Sequence, residues 1–334
     1  MTSSNEQGKC MKSKDRNTLA ARVLCALLAI AACCILPTAL PASPQTNAAA
    51  AQPQEKTFDT PQQAADAMIL AVKNDDEAAL LEIFGPDGKD FVDTKDSVQD
   101  KNSRAAFAAL AQEKMHLDID PNDPNRAILS IGNEDWPTPV PIVKQGGKWH
   151  FDSKAGRTVI LDRRIGENEL TAITICRGYV DAQNDYAEQI HDDSGVNQYA
   201  QRIISTPGKQ DGLAWQNADG SWGGPVGEAA AKALAEGYVD KHQPFYGYYF
   251  KVLKGQGPAA RLGQINYVIE GAMIGGFALV AVPAEYGVTG VMTFMVSYDG
   301  VVYQKDLGAD SLDIVKKMEL YNPDKTWRVT DDEE

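Results

Sequence analysis

The chain has 334 residues, and 43% of them are hydrophobic, which suits a globular protein of two ordinary domains. Its 46 acidic and 32 basic side chains give a formal net charge of −14. The first 51 residues hold five of the basic and two of the acidic side chains, so the remainder has a net charge near −17. Such an acidic body repels nucleic acid and anionic membrane surfaces, which excludes both as partners.

The N-terminal segment has the build of an export signal. Five basic residues precede an uncharged apolar run of 14 residues at 23–36, and small residues follow it. This pattern predicts a signal peptide over residues 1–42, with an uncleaved membrane anchor as the alternative. Cleavage sites are available near Ala42 and among the alanines at 48–51.

A third interpretation of the same segment is a lipoprotein signal. The residues before Cys33 resemble a bacterial lipobox, in which this thiol would take a diacylglyceryl group. In each case the sequence predicts an exported protein of the periplasm or cell envelope that meets the membrane only through its N-terminal segment. Only Cys176 lies in the body, so no internal disulfide is expected there.

Residues 43–56 are rich in Ala, Gln and Pro and predict a flexible linker. The first domain is predicted at 57–152. Thr60, Pro61 and Gln63 form a helix start with a capping box. Apolar spacing predicts further helices at 78–84 and 101–114. Short strands follow at 116–119, 127–131, 140–144 and 148–152, the last two joined through a Gly-Gly turn.

The second domain is predicted at 153–328 and combines helices with a sheet. Apolar residues at helical spacing predict one long helix over 156–190 and a second, Ala-rich helix over 226–238. Strands are predicted at 248–253, 265–269, 277–282, 290–297 and 301–305, before a short helix at 311–318. Residues 329–334 form an acidic tail. The fold class is therefore α+β, a small helix-plus-meander domain followed by a long helix packed on an antiparallel sheet.

Several long phrases of the sequence resemble the DUF2950 family. They include GNEDWP at 132–137, KWHFDSKAGR, YVDAQNDYA, YGYYFKVLKGQGP and MIGGFALVAVPAEYGVTGVMTF, and the match covers about residues 57–328. The resemblance implies a two-part exported bacterial protein. The family has no assigned activity, so no catalytic residues follow from it.

Each predicted domain also resembles a wider fold. The first is similar to the cone-shaped NTF2-like folds, which open with the same kind of helix pair. The second is similar to the soluble heads of type IV pilin-like proteins, through GYYFKVL, VPAEYG and TGVMTFMVSYDG. In pilins the long helix continues a transmembrane stem, whereas here about 110 residues of another domain intervene. The resemblance therefore implies reuse of the head fold, without polymerisation through a stem.

The sequence offers few residues in catalytic patterns. None of its four histidines lies three or four residues from another, so no helical histidine pair can hold a metal. Cys176 lies on an apolar helix face and is expected to be a buried structural thiol. Oxygen donors surround a glycine at Asp192, Asp193 and Asn197, which suits calcium, although a solvated turn explains the loop as well. No other cofactor is indicated.

An aromatic cluster at 245–250 is the best candidate for a binding surface. Strand alternation sends Tyr246 and Tyr248 to one face and Tyr249 to the other, so one set must be covered by a helix, a ligand or a partner. Glu285 and Asp299 flank the hairpin phrase of the second domain and are candidate rim residues. Asp299-Gly300 predicts a tight hairpin turn, which accounts for that phrase without a site.

These patterns favour a non-enzymatic envelope protein that binds or assembles with a protein or a small ligand. The alternatives are an envelope hydrolase that works through Asp or Glu chemistry and a calcium-stabilised structural module. A deep cleft with two carboxylates of raised pKa would favour the hydrolase.

Overall fold

A computed structural model describes residues 55–192, 195–238 and 243–330. The predicted signal segment 1–42 with its candidate lipidation site Cys33, and the last four residues of the predicted acidic tail, lie outside this range. The described residues build two hydrophobic cores, which we assign to an N-terminal lobe (55–152) and a C-terminal lobe (188–330). The long helix between them contributes to both.

The N-terminal lobe combines four α-helices with an antiparallel sheet. Its helices are α1 (Pro61–Lys73), α2 (Glu77–Phe84), α3 (Lys89–Val92) and α4 (Ser97–Glu113). Its strands are β1 (Met115–Asp120), β2 (Asp123–Ile131), β3 (Trp136–Pro137), β4 (Ile142–Gln145) and β5 (Lys148–Phe151). The sheet order is β1-β2-β4-β5, and β3 pairs with β2.

Local sequence explains these boundaries. The Thr60 hydroxyl accepts a hydrogen bond from the Gln63 amide and caps α1. Gly146 and Gly147, both at positive φ, close the β4–β5 hairpin as predicted. Helix α4 begins at Ser97 rather than at 101, because the Asp96 carboxylate caps it by accepting from the Gln99 amide.

Helix α5 (Ser153–Ala187) joins the two cores. Its 35 residues span about 50 Å at 1.5 Å per residue. Near its start Gly156 lies against Val140 of the N-terminal lobe, where a side chain would collide. Its second half buries Cys176, Tyr179 and further residues on the C-terminal sheet. The helix therefore fixes both lobes to one axis.

The helices and strands of the C-terminal lobe are β6 (Trp215–Gln216), β7 (Trp222–Gly223), α6 (Gly227–Glu236), β8 (Tyr248–Leu253), β9 (Gly255–Gln256), β10 (Ile265–Asn266), β11 (Val268–Ile269), β12 (Ala272–Met273), β13 (Ala278–Pro283), β14 (Met292–Ser297), β15 (Tyr303–Asp306), α7 (Ser311–Lys317) and β16 (Arg328–Val329). Five of the strands form an antiparallel sheet of order β16-β15-β14-β13-β8, on which the lobe is built.

Both faces of this sheet are covered. Tyr248 and Phe294 contact each other on the face under α5. The opposite face carries Lys251 and lies under α7. There the Lys251 amine donates to the last carbonyls of α7, including that of Met318 at 2.7 Å. A lysine that satisfies helix-end carbonyls is a C-terminal cap.

The structure confirms the α+β fold class and corrects parts of the prediction. The long helix runs over Ser153–Ala187, and the strand predicted at 265–269 is two short strands, β10 and β11, with different partners. Gly300 has the expected positive φ. The β14–β15 hairpin forms, and the Gly300 amide donates to the Ser297 carbonyl in a tight turn, but strand pairing ends at Met295–Tyr303 and leaves a longer connection.

Candidate functional site

A buried carboxylate joins the two lobes at the start of α4. The Asp96 residue is 1% exposed. One of its oxygens accepts from the Gln99 amide of its own helix. The other accepts from the Gly247 amide at 3.0 Å and from the Tyr238 hydroxyl at 3.3 Å, both in the C-terminal lobe. One side chain of the N-terminal lobe therefore organises a turn of the other lobe.

A buried amide on α5 completes this junction. Asn168, also 1% exposed, accepts from the Gln99 side chain at 2.8 Å and donates to the Thr289 carbonyl at 2.9 Å. Gly247 lies against it at φ +75, and a Cβ there would collide with the Asn168 amide nitrogen. We call Asp96, Gln99, Asn168, Gly247 and Thr289 the junction.

Three aromatic rings flank the junction. Tyr238, Phe245 and Tyr246 pack edge to face or tilted, with ring centroids 4.6 to 5.7 Å apart. The Tyr246 hydroxyl donates to Glu236 at 2.8 Å. Burial raises the pKa of this phenol to about 12, and the Glu236 carboxylate acts in the same direction. The Tyr238 and Tyr246 phenols are both protonated at neutral pH and donate hydrogen bonds.

Burial also changes the carboxyl groups here. It raises the pKa of Asp96 above its usual range, while hydrogen bonds from the Gln99 and Gly247 amides and the Tyr238 hydroxyl act against that rise. Burial likewise raises the pKa of Asp100 one helical turn later, where the Thr94 amide and hydroxyl donate to the carboxylate. These are two carboxyls with raised pKa values, but protein donors occupy their oxygens. Asp96 thereby links the two lobes, whereas Asp100 is held within its own lobe.

A second feature is an open groove of about 410 Å³ on the face of the C-terminal sheet under α7. Its apolar lining is Met295 from β14 with Met318, Leu320 and Trp327 from the C-terminal segment. Glu319 and Asn322 form its polar rim. Lys251 donates to Glu319 at 3.2 Å, and the Lys305 amine lies 5.9 Å from the Trp327 ring centroid. We call these six lining residues the groove.

Comparison with known proteins places the chain in a family. A family model described as a protein of unknown function (DUF2950) matches residues 55–330. The chain belongs to the DUF2950 family. No curated protein and no solved structure matches it. Membership therefore extends over nearly all the described residues of both lobes and both features. The NTF2-like and pilin-like resemblances stay predictions.

The residues predicted as a binding surface do not form one site in this DUF2950 chain. Tyr246 lies in a turn at φ +48 beside the junction, not in the strand. Tyr248 is buried under α5 and its hydroxyl donates to the Met292 carbonyl, so it belongs to the core. Tyr249 is half-buried on the opposite sheet face. Glu285 and Asp299 lie at opposite ends of the sheet.

The other predicted sites have structural explanations or lie partly outside the described residues. Asp192 accepts from the Gln198 side chain at 2.6 Å, Asn197 is exposed, and Asp193 lies outside the described range. Within residues 55–192, 195–238 and 243–330, no three His, Cys, Asp or Glu side chains meet closely enough to hold a metal. Cys176 is buried and unbridged, and burial raises its pKa to about 12.

Sequence reasoning missed both features. Asp96 followed by Gln99 has the spacing of a helix cap, which would have moved the start of α4 and drawn attention to this carboxylate. Nothing local marks its contact with Gly247, which is 151 positions away. The groove likewise joins β14 to a segment beyond α7. Among the described helices, none has the length and apolar character needed to cross a bilayer.

Proposed function

We propose that this chain is an exported envelope protein that binds a partner rather than catalysing a reaction. The groove is the observation that carries the proposal. Its volume of about 410 Å³ is in the range of about 300–1,000 Å³ typical of binding pockets. The Asp96 carboxylate of the junction is instead held by the protein's own donors. Binding surface and polar network are thus separate.

The groove suits an apolar side chain of a peptide. Methionine side chains adapt to irregular partners, and tryptophan is a frequent anchor of interfaces. The Glu319 side chain at the rim is 78% exposed, and its ion pair with Lys251 is made through Oε1. A basic residue next to the inserted side chain would complement this carboxylate. We therefore propose that the ligand of the groove is a peptide with an aromatic residue beside a lysine or arginine.

Methionine methyl groups allow a direct test. The full chain, labelled with ¹³C at the methionine methyls, is titrated with the capped dipeptides Phe-Lys amide and Phe-Glu amide. Met295→Leu and Met318→Leu assign the two groove signals. We expect these two signals to shift and saturate with Phe-Lys, and to shift less with Phe-Glu because Glu319 repels it. Glu319→Gln should remove the difference between the dipeptides.

Met68 in the N-terminal core is the matched control methyl. A shift of Met68 as large as those of Met295 and Met318 would show non-specific interaction and overturn the proposal. So would groove signals that stay unchanged up to the solubility limit of the dipeptides.

An Asp-based hydrolase is the second candidate, because Asp96 and Asp100 both have raised pKa values. It requires one of them to face substrate. Turnover of any envelope polymer by the purified chain, abolished in Asp100→Asn but kept in Glu319→Gln, would establish the hydrolase over the binding module.

The proposed export is tested on protein recovered from a producing bacterium. We expect an N-terminus after residue 42, which mass spectrometry reads directly. A diacylglyceryl group on Cys33 would show that the segment is processed as a lipoprotein signal and not cleaved near Ala42. A chain that keeps residues 1–42 and stays with the cytoplasmic fraction would contradict export.

A further inference from the structure

Strand β1 leaves one edge of the N-terminal sheet open. It pairs only with β2, and no other described strand lies along its outer edge. The Gly132 amide donates to the Lys114 carbonyl at 2.9 Å, immediately before the Met115–Ile131 pair. In an antiparallel pair hydrogen-bonded residues alternate, so Met115, Leu117 and Ile119 point their backbone groups outward. These groups can accept another strand.

The side chains of β1 are incompletely covered as well. Met115, Leu117 and Ile119 lie opposite the buried Ile131, Leu129 and Ala127, on the face towards the helices. Ile119 is nevertheless 47% exposed, and Met115 and Leu117 are half-buried. A neighbouring strand with apolar side chains on the same face would cover them.

The sequence of β1 is complementary to itself in one antiparallel register. If two copies pair about a two-fold axis through Leu117, Met115 of each copy meets Ile119 of the other on the helix face. On the opposite face His116 meets Asp118, and Lys114 meets Asp120. A carboxylate attracts a cation, and accepts a hydrogen bond from an imidazole, across neighbouring strands. Every such pair occurs twice, because a two-fold interface is isologous.

Other two-fold registers are poorer. An axis through Asp118 places the two Asp118 carboxylates opposite each other, and an axis through His116 places the two imidazoles together. Within one copy Lys114 contacts Asp135 at 2.6 Å and His116 contacts Asp118 at 2.9 Å. Only the Leu117 register adds a carboxylate of the other copy beside each of Lys114 and His116 while the outward backbone groups of both strands face each other. Six backbone hydrogen bonds would form across three outward-facing pairs, about two per pair.

We propose that β1 is a dimerisation edge, on which the β1 strand of a second copy pairs antiparallel about Leu117. The resulting sheet would run continuously through both N-terminal lobes. This interface is independent of the groove in the C-terminal lobe, so failure of one proposal leaves the other standing.

Charge variants of the full chain test the register by sedimentation equilibrium. Asp118→Lys places a cation opposite His116 of the other copy, and His116→Asp places two carboxylates opposite each other. We expect each variant alone to dimerise at least about tenfold more weakly than the parent, since both symmetry-related cross-strand pairs lose their attraction. In a mixture of the two variants, the introduced lysine of one copy faces the introduced aspartate of the other. The unchanged His116 and Asp118 also face each other, so heterodimers should form with near-parental affinity.

Asp181→Lys, at an exposed position of α5, makes the same charge change away from β1. It should leave dimerisation unchanged, and circular dichroism checks that every variant folds. A monomeric parent at its highest soluble concentration would overturn the proposal. Equal weakening by Asp181→Lys and Asp118→Lys, or no rescue on mixing, would overturn it too. If the copies instead associate through the N-terminal segment, which all variants keep, charge changes in β1 would leave dimerisation unchanged. That result would also overturn the proposal.

Two single cysteine substitutions locate the proposed two-fold axis directly. Leu117→Cys meets itself across the proposed axis, whereas Asp118→Cys meets residue 116. A short thiol crosslinker should join Leu117→Cys copies above the background of the parent cysteines, and join Asp118→Cys copies much less. The reverse ranking would exclude the Leu117 register.

Discussion

The junction and the groove are opposite in build, although both involve the C-terminal lobe. The junction is polar and closed, since Asp96 and Asn168 are almost fully buried and their polar atoms contact protein groups. The groove is open and lined mainly by apolar side chains, those of Met295, Met318, Leu320 and Trp327. Buried polar networks hold a structure in one arrangement. Open apolar surface is what a partner can cover.

This contrast separates two roles that an interpretation of sequence alone tends to merge. Carboxylates with raised pKa are common at active sites, but structural networks perturb pKa values too. In this chain the perturbed Asp96 carboxyl of the junction connects the lobes, and the groove contains one exposed acid on its rim. If the contrast is right, junction variants change stability and groove variants change binding.

The largest effect is expected from Asp96→Ala. The substitution leaves the Gly247 amide and the Tyr238 hydroxyl without their acceptor in a buried place. Unsatisfied buried donors and the lost helix cap should lower the free energy of unfolding by about 3 kcal/mol. Because these contacts join the lobes, chemical denaturation should also separate into two transitions, which near-ultraviolet circular dichroism and tryptophan fluorescence can follow.

Asp76→Ala is the matched control within the N-terminal lobe. Asp76 caps α2 through the Ala79 amide and contacts no other lobe in this way. Its loss should cost about 1 kcal/mol and keep a single transition. Equal costs for the two variants would show that Asp96 is only a cap and that the lobes do not depend on it.

Gly247→Ala tests the junction through its backbone. Residue 247 has φ +75, and a Cβ there meets the Asn168 amide and lies 3.0 Å from the Thr289 Cβ. Gly287 has nearly the same φ, +73, but open space around the Cβ position. Alanine in this conformation costs about 1 kcal/mol, and crowding adds about as much again at 247. Thermal melts should therefore rank Gly247→Ala below Gly287→Ala. Equal melting temperatures would mean that the junction can open to admit a methyl group.

Much of the local structure was predictable, and the reason is that its signals are short-range. Thr60, Pro61 and Gln63 predicted α1, and alternation predicted β8 with the observed bounds. Tyr246 was misassigned because alternation was extended past Gly247, whose left-handed conformation ends the strand pattern. Tyr248 is covered by α5, which is one of the three covers that the sequence left open.

The site could not be predicted because its contacts are long-range. Asp96 and Gly247 are held together by the path of α5 between the lobes, which depends on how two cores pack. Asn168 looks in the sequence like an ordinary polar helix residue, yet it is buried at the crossing of three segments. Met295 lies in the strand predicted at 290–297, but the segment around Trp327 that lines the groove with it carries no periodicity.

Glu55 sharpens the comparison with a carboxyl of the other kind. Asp96 is held by donors, whereas Glu55 lies beside Asp152 and Asp87, with the His150 ring nitrogen 4.0 Å away. Burial and these two acids raise the pKa of Glu55 from 4.5 to about 7. The folded state then binds more protons than the unfolded state between these values, so stability falls as pH rises through that window.

Glu55→Gln should remove this slope. After allowance for the solvent that still reaches Glu55, we expect the parent to lose about 1 kcal/mol more than the variant between pH 5 and pH 8. Urea unfolding at both pH values measures it. A parent and variant with parallel pH profiles would show that Glu55 ionises freely when the protein is folded.

The smallest effect on stability is expected in the groove. Leu320 is 39% exposed, so Leu320→Ala removes little buried surface and should cost no more than about 0.5 kcal/mol. The same change removes one wall of the groove and should weaken Phe-Lys binding at least about fivefold, which the Met318 methyl signal reports. Gly287→Ala, which costs more stability, should bind Phe-Lys like the parent. That crossed result would separate binding from folding, since a structural role for the groove requires stability and binding to fall together.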